Sequence, residues 1–193
     1  GAPRLTQCAS PPSGVAVTLA RRAGPLMSFN SFPLAPELLR AVTGSGYLVA
    51  TPIQQAVIPG ALTGGDVLGI AQTGSGKTAA YVLPMLQALS SPQLPAAARK
   101  VHALVLVPTR ELATQVAETV RTLARFLPQA PKLVALFGGV SVNPQMMRLR
   151  GGADIVIATP GRLLDLVDKN AVALGSVGLL VLDEADRMLD AGF

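Results

Sequence analysis

Five short apolar runs, at 66–71, 101–107, 132–137, 154–158 and 177–182, punctuate the chain, and residues at helical spacing fill the intervals between them. This alternation limits what the chain can become. Short apolar strands separated by helices make βαβ units, right-handed crossovers and a mostly parallel sheet. The run 101–107, stopped by Pro108, is apolar on both faces and reads as a strand buried on both sides. Helices are expected from Pro36 to about Gly44, from Thr51-Pro52 onward, and over 76–89, 110–126, 144–149 and 160–167. Pro84, inside the third of these, predicts a kink or an irregular turn. Ligands of such sheets bind at the carboxyl ends of the strands, and nearly every polar motif falls there.

With 193 residues, the chain is large enough for one domain with a substantial core. Half of its residues are hydrophobic and only 14% are charged, which excludes disorder over the whole length. No apolar stretch reaches the roughly 18 residues that a spanning helix needs, so no membrane partner is expected. One cysteine, Cys8, leaves no internal disulfide, and one histidine, His102, no Cys/His zinc site. A reducing, cytoplasmic setting fits. Of the formal charge of +5, Arg4, Arg21 and Arg22 lie before Met27, where no acid occurs. The remaining 13 basic and 11 acidic residues give only +2. That balance permits nucleic-acid binding without arguing for it. Residues 1–26, broken by prolines and glycines, read as a disordered leader or extension, and the organised domain is expected over 27–193. A transit peptide is disfavoured because the stretch is not amphipathic.

Ala71-Gln72-Thr73-Gly74-Ser75-Gly76-Lys77-Thr78 stands between an expected strand and an expected helix. Its glycines let the backbone wrap closely with N–H groups turned inward, and the helix N-terminus adds partial positive charge. Phosphates fit such a cradle, with Lys77 on the β/γ oxygens and the Thr78 hydroxyl on Mg²⁺. The general pattern begins with glycine, a place Ala71 takes here. A magnesium carboxylate is then needed at the end of a neighbouring strand, and the run 177–182 delivers Asp183. If the chain remains extended, Glu184 points the opposite way. Asp183 is accordingly assigned to the metal, through water, and Glu184 to activation of the attacking water as general base.

Asp183-Glu184-Ala185-Asp186 resembles the motif that names the DEAD-box RNA helicases, and other segments follow in that family's order. Phe29 and the stretch Gly46-Tyr47-Leu48-Val49-Ala50-Thr51-Pro52-Ile53-Gln54 are similar to its Q motif and upstream aromatic, placed here over 27–55. Ala71 to Thr78 is similar to motif I, where alanine in first place is usual. Pro108-Thr109-Arg110-Glu111-Leu112-Ala113 resembles motif Ia, Gly138-Gly139 the GG element, and Thr159-Pro160-Gly161-Arg162 motif Ib. The match runs from Phe29 to Phe193. One departure is Ala50, where the family usually has proline.

The resemblance implies a three-layer RecA-like P-loop NTPase domain, with ATP and Mg²⁺ as cofactors and an RNA-stimulated ATPase that separates short duplexes. It implies that Gln54 pairs with adenine N6 and N7 through its carboxamide, and that Phe29 stacks on the base. It further implies that Pro108, Thr109, Arg110, Gly138, Gly139, Thr159, Pro160, Gly161 and Arg162 hold RNA by its backbone, without regard to base sequence. The family continues with a Ser-Ala-Thr strand and a second RecA-like domain whose arginines reach the γ-phosphate, so the sheet is expected to be incomplete at its C-terminal end. The chain taken alone is therefore expected to bind nucleotide with little or no turnover. A DNA helicase or translocase is the rival within the enzyme class, but such families usually lack the Gln54 segment.

Overall fold

The computed structural model describes residues 15–18, 27–90 and 99–192. At its centre lie the two strands whose sequence leaves no polar face, β3 (Ala103–Leu106) and β5 (Ile155–Ala158). They pair in parallel, in register from Ala103 with Ile155 to Leu106 with Ala158. β4 (Leu133–Leu136) joins the outer side of β5, and β6 (Leu179–Leu182) joins β3. The sheet order is β4-β5-β3-β6, all parallel.

Alternation along the strands divides the core into two layers. Ala103, Val105, Ile155 and Ile157 pack into a large cluster with Ile58 and with residues of α1 (Pro36–Gly44), α3 (Lys77–Leu89) and α4 (Arg110–Ala124). Leu104, Val156 and Ala158, with Val134 and Leu136, pack against the other side, under α5 (Asn143–Leu149) and α6 (Pro160–Asp168). The result is a three-layer α/β domain, as the alternation predicts.

The helices start where their caps say they should. Pro36, Pro52 and Pro160 each occupy a first-turn position, where proline's missing N–H is no loss. Thr109 caps α4, its side chain accepting from the Leu112 N–H at 3.2 Å. The helix does not break at Pro84: α3 is one helix from Lys77 to Leu89, with Pro84 buried inside it. An interior proline costs about 3 kcal/mol. Its neighbours Leu83, Met85 and Leu86 are wholly buried, and at about 1.5–3 kcal/mol each their burial outweighs that loss.

Two expectations are corrected. The strand leading into the phosphate loop, β2 (Val67–Ile70), is not hydrogen-bonded to the four-stranded sheet; it pairs in parallel with β1 (Val15–Thr18), in register from Val15 with Val67 to Thr18 with Ile70. The segment expected to be a disordered leader thus contains a strand. A Val-Ala-Val-Thr stretch has the composition that an open strand edge accepts. The rest of 1–26 lies outside the described residues. β2 and β6 leave apolar side chains outward: Leu68, Ile70, Leu180 and Leu182 are all more than half exposed.

Candidate functional site

The carboxyl end of β2 runs into the loop at 71–76, and α2 (Pro52–Leu62) packs against both β2 and α3. Gly74 and Gly76 take left-handed backbone angles, φ +78° and +91°. At Gly76 a side chain would displace Gln54, because a Cβ there would lie 2.6 Å from Gln54 Nε2. Gly76 caps α3, so the first-turn N–H groups behind it have no intrahelical acceptor and face the loop. The Lys77 ammonium folds back over the loop, donating to the Ala71 carbonyl and, at 3.3 Å, to that of Gln72. Ser75 Oγ is buried without a hydrogen-bond partner. Unpaired donors, an orphaned hydroxyl and a cation turned inward form a cradle suited to an anion of several oxygens.

Asp183 follows the last residue of β6 and is only 7% exposed. Its N–H donates to the Leu106 carbonyl of β3 at 3.0 Å, and its Oδ2 accepts from the Tyr81 hydroxyl of α3 at 2.9 Å. Burial, then the Asp183 charge and the hydrogen bond to it, push the Tyr81 phenol far above its ordinary range; the Thr78 hydroxyl pulls weakly the other way. Tyr81 is therefore a protonated donor at any working pH. Thr78, in the first turn of α3, lies three residues before Tyr81 on the same helix face, so the phenol stands between it and the strand-end carboxylate Asp183.

The chain is no longer extended at Glu184, so the condition for its pointing opposite to Asp183 is not met. Glu184 takes a left-handed conformation, φ 53° and ψ 48°, at the start of α7 (Ala185–Asp190). A non-glycine residue held there is strained, and such strain gathers at functional turns. The carboxylate pairs with Arg187 one turn on, Oε2 to Nη1 at 3.0 Å. That pair is open to solvent on the arginine side and contributes little to stability.

Gln54 is 2% exposed and both ends of its carboxamide are engaged. Oε1 accepts from the Thr51 N–H at 2.9 Å, and Nε2 donates to the Gly76 carbonyl at 3.1 Å. Gln54 thus fastens the start of α2 to the phosphate loop. Phe29, 3% exposed, lies in the main core, edge-on to Phe32 at 5.9 Å and tilted against Tyr47 at 6.3 Å. In this conformation Phe29 offers no open face; the exposed aromatic beside it is Tyr47.

The loops after β3, β4 and β5 meet because the strand order places β3 and β4 on either side of β5. Pro108, Arg110, Gly138, Thr159, Gly161 and Arg162 line one open cavity of about 470 Å³. Arg110 lies over the Phe137 ring, 5.2 Å from its centre. Arg162 is mostly buried: Nη2 donates to the Val140 carbonyl at 2.9 Å, Nε faces Asp165 Oδ2 at 3.8 Å, and Nη1 has no partner. Thr109, whose hydroxyl caps α4, and Gly139, at φ +74°, belong to the same loops, as does Pro160 at the head of α6.

A profile of the DEAD/DEAH box helicases matches residues 51–193. The chain belongs to this family. It is 45% identical over 174 residues to "DEAD-box ATP-dependent RNA helicase 21" of Oryza sativa subsp. japonica, covering 88% of this chain and 23% of that protein. It is 49% identical over 160 residues to "ATP-dependent RNA helicase DbpA" of Escherichia coli, covering 83% and 34%. The crystal structure of a DEAD box protein from the hyperthermophile Methanococcus jannaschii matches with a TM-score of 0.76 and 36% identity, over 86% of this chain and 44% of that one. The chain therefore spans about a quarter to a third of these curated relatives.

For a DEAD/DEAH box domain, the residues present fit a magnesium nucleotide. One hydroxyl and one carboxylate, with phosphate oxygens and water, form the hard oxygen set that Mg²⁺ prefers. Among the described residues no group of three or more acidic, histidine or cysteine side chains offers an all-protein metal cage. No helix among them is long and apolar enough to cross a membrane. Three residues of this site escape a reading of DEAD/DEAH box motifs. Gln145, 4% exposed, accepts from the Phe137 N–H at 3.1 Å and donates to its carbonyl at 3.0 Å, anchoring the strand end before Gly138. Arg187 holds Glu184. Tyr81 holds Asp183, and its position four residues after Lys77, on the same helix face, was the available signal.

Proposed function

We propose that this chain is the nucleotide-binding domain of an ATP-dependent RNA helicase, with part of its RNA surface. One observation carries the reading: the helix that leaves the phosphate loop is tied to the strand-end carboxylate through Tyr81, while the loops of β3, β4 and β5 form a cavity bearing Arg110 and Arg162. Arriving phosphates displace the Lys77 ammonium from the carbonyls of Ala71 and Gln72 onto their own oxygens. Ser75 and the first-turn N–H groups of α3 take up the remaining oxygens. Thr78 and Asp183 would hold Mg²⁺, which when bound would supply positive charge against the β- and γ-phosphates. Glu184 accepts the proton of the attacking water once it leaves Arg187.

Gln54 reads adenine through its carboxamide, which requires it to exchange the Gly76 carbonyl or the Thr51 N–H for the base. Stacking by Phe29 requires that ring to turn out of the core. RNA lies across the three loops, held by its phosphates through Arg110, Arg162 and the helix starts at Arg110 and Pro160, so binding tolerates any base sequence. In the whole protein a second RecA-like domain supplies the arginines that complete hydrolysis. The test is a titration of fluorescent ADP and ATP into the chain with Mg²⁺, followed by a turnover assay with and without single-stranded RNA. Weak adenine-nucleotide binding without RNA-stimulated turnover is expected. Absence of nucleotide binding overturns the reading; robust stimulation by RNA overturns the assignment of turnover to a two-domain protein.

A further inference from the structure

We infer that Tyr81 is a positioning residue of the metal site: its hydroxyl occupies Oδ2 of Asp183 and thereby aims the other carboxylate oxygen at the phosphate loop. The inference rests on the nucleotide-site reading above and extends it to a residue outside the motifs.

A phenylalanine ring would fill the same space in the layer between α3 and the sheet; only the hydroxyl reaches across to β6. Asp183 is held at two points. Its backbone is tied to β3 through Leu106, and its side chain is tied to α3 through Tyr81 at 2.9 Å. An aspartate carboxylate turns about two single bonds, and a donor on one oxygen fixes both. Among the described residues no other side chain donates to it, and at 7% exposure water supplies little. Thr78 lies three residues before Tyr81, on the same face of α3, so one ring spans the hydroxyl and carboxylate expected at the cation. Since β2 and β6 are not paired, this contact is also a direct link between the phosphate loop's helix and the strand bearing the acids. Hydrogen-bond partners of a metal's ligands commonly change metal affinity by about 10- to 100-fold.

The experiment measures fluorescent-ADP affinity of the 193-residue chain in EDTA and across a Mg²⁺ series, for wild type, Tyr81→Phe, Asp183→Asn and the double variant. Tyr81→Phe should leave the metal-free affinity unchanged and raise the Mg²⁺ midpoint about tenfold. In the Asp183→Asn background it should add no further shift, because the carboxylate it acts through is gone. A merely structural tyrosine would weaken metal-free binding as well, or act equally in both backgrounds; either result overturns the inference, as does an unmoved midpoint. A wild type that binds no nucleotide overturns the nucleotide-site reading and this inference together, whereas a wild type that binds nucleotide without regard to Mg²⁺, or one that is Mg²⁺-dependent beside an unmoved Tyr81→Phe variant, overturns the inference alone. A measurement on wild type needs no substitution. The chain has two tyrosines, and with ¹³C at the phenol carbon the Tyr81 resonance should shift with Mg²⁺ at the midpoint of the nucleotide titration. A resonance that stays put overturns the inference.

Discussion

Replacing Gly76 by alanine puts a methyl group into the junction between the phosphate loop and α2, and two separable effects follow. The backbone at φ +91° is one a side chain disfavours by roughly 1–2 kcal/mol. The new Cβ would also lie 2.6 Å from Gln54 Nε2 and 3.3 Å from Thr51 Oγ1. A free amide would swing aside at little cost. This one is buried and held at both ends, by the Thr51 N–H and the Gly76 carbonyl, so moving it breaks both hydrogen bonds. At about 0.5–1.5 kcal/mol each, that adds about 1–3 kcal/mol. Gly74 is the internal control: its φ is +78°, but a Cβ there meets nothing within 4 Å. Gly74→Ala should therefore show only the backbone effect, and Gly76→Ala should exceed it by about 1–3 kcal/mol in urea unfolding followed by far-UV dichroism. In a Gln54→Ala background the excess should disappear. Equal destabilisation by the two alanines, or an excess that survives removal of Gln54, would refute the junction.

Other perturbations isolate other parts. Gln145→Ala should destabilise the chain by about 2–3 kcal/mol, since it strips two hydrogen bonds from Phe137 in a buried setting, and RNA retention on a filter should fall with it. Thr109→Ala removes the cap of α4 and should lower stability by about 0.5–2 kcal/mol in the same unfolding assay, while Thr109→Ser keeps it. Lys77→Ala should abolish phosphate-dependent nucleotide binding in calorimetry with little loss of stability, because the ammonium binds only carbonyls of its own loop. The raised Tyr81 pKa makes a pH prediction. The folded chain keeps the phenolic proton that the unfolded chain loses near pH 10, so its stability is full below that value and falls as pH rises above it. Tyr81→Phe should flatten this part of the alkaline limb.

Much of the fold is legible in the order of residues because its strands are buried on both sides and cannot be mistaken for anything amphipathic. β3, β5 and the capped starts of α2, α4 and α6 fall within a residue or two of expectation. That α3 runs on through Pro84 depends on the packing of Leu83, Met85 and Leu86 around it, which local propensity does not reveal. The pairing of β2 with Val15–Thr18 is invisible in a segment with no period of its own. At the site, the glycines and acids announce themselves by chemistry, and the loops at 108–110, 138 and 159–162 by spacing. The conformation of those groups does not. Nothing in the sequence says that Phe29 is packed inward, that the Gln54 amide is occupied by Gly76, or that Glu184 turns left-handed. Such facts depend on neighbours distant in the chain, as Tyr81 and Asp183 are.

The bare flank of β6 has a practical meaning for anyone handling this polypeptide. Its outward leucines, Leu180 and Leu182, stand beside backbone groups to which no strand among the described residues pairs, and Leu68 and Ile70 repeat the situation on the outer side of β2. Such a margin is a template for pairing with another molecule. At millimolar concentration two copies should find each other there, so light scattering should climb with protein concentration, and a lysine at position 180 should suppress the climb.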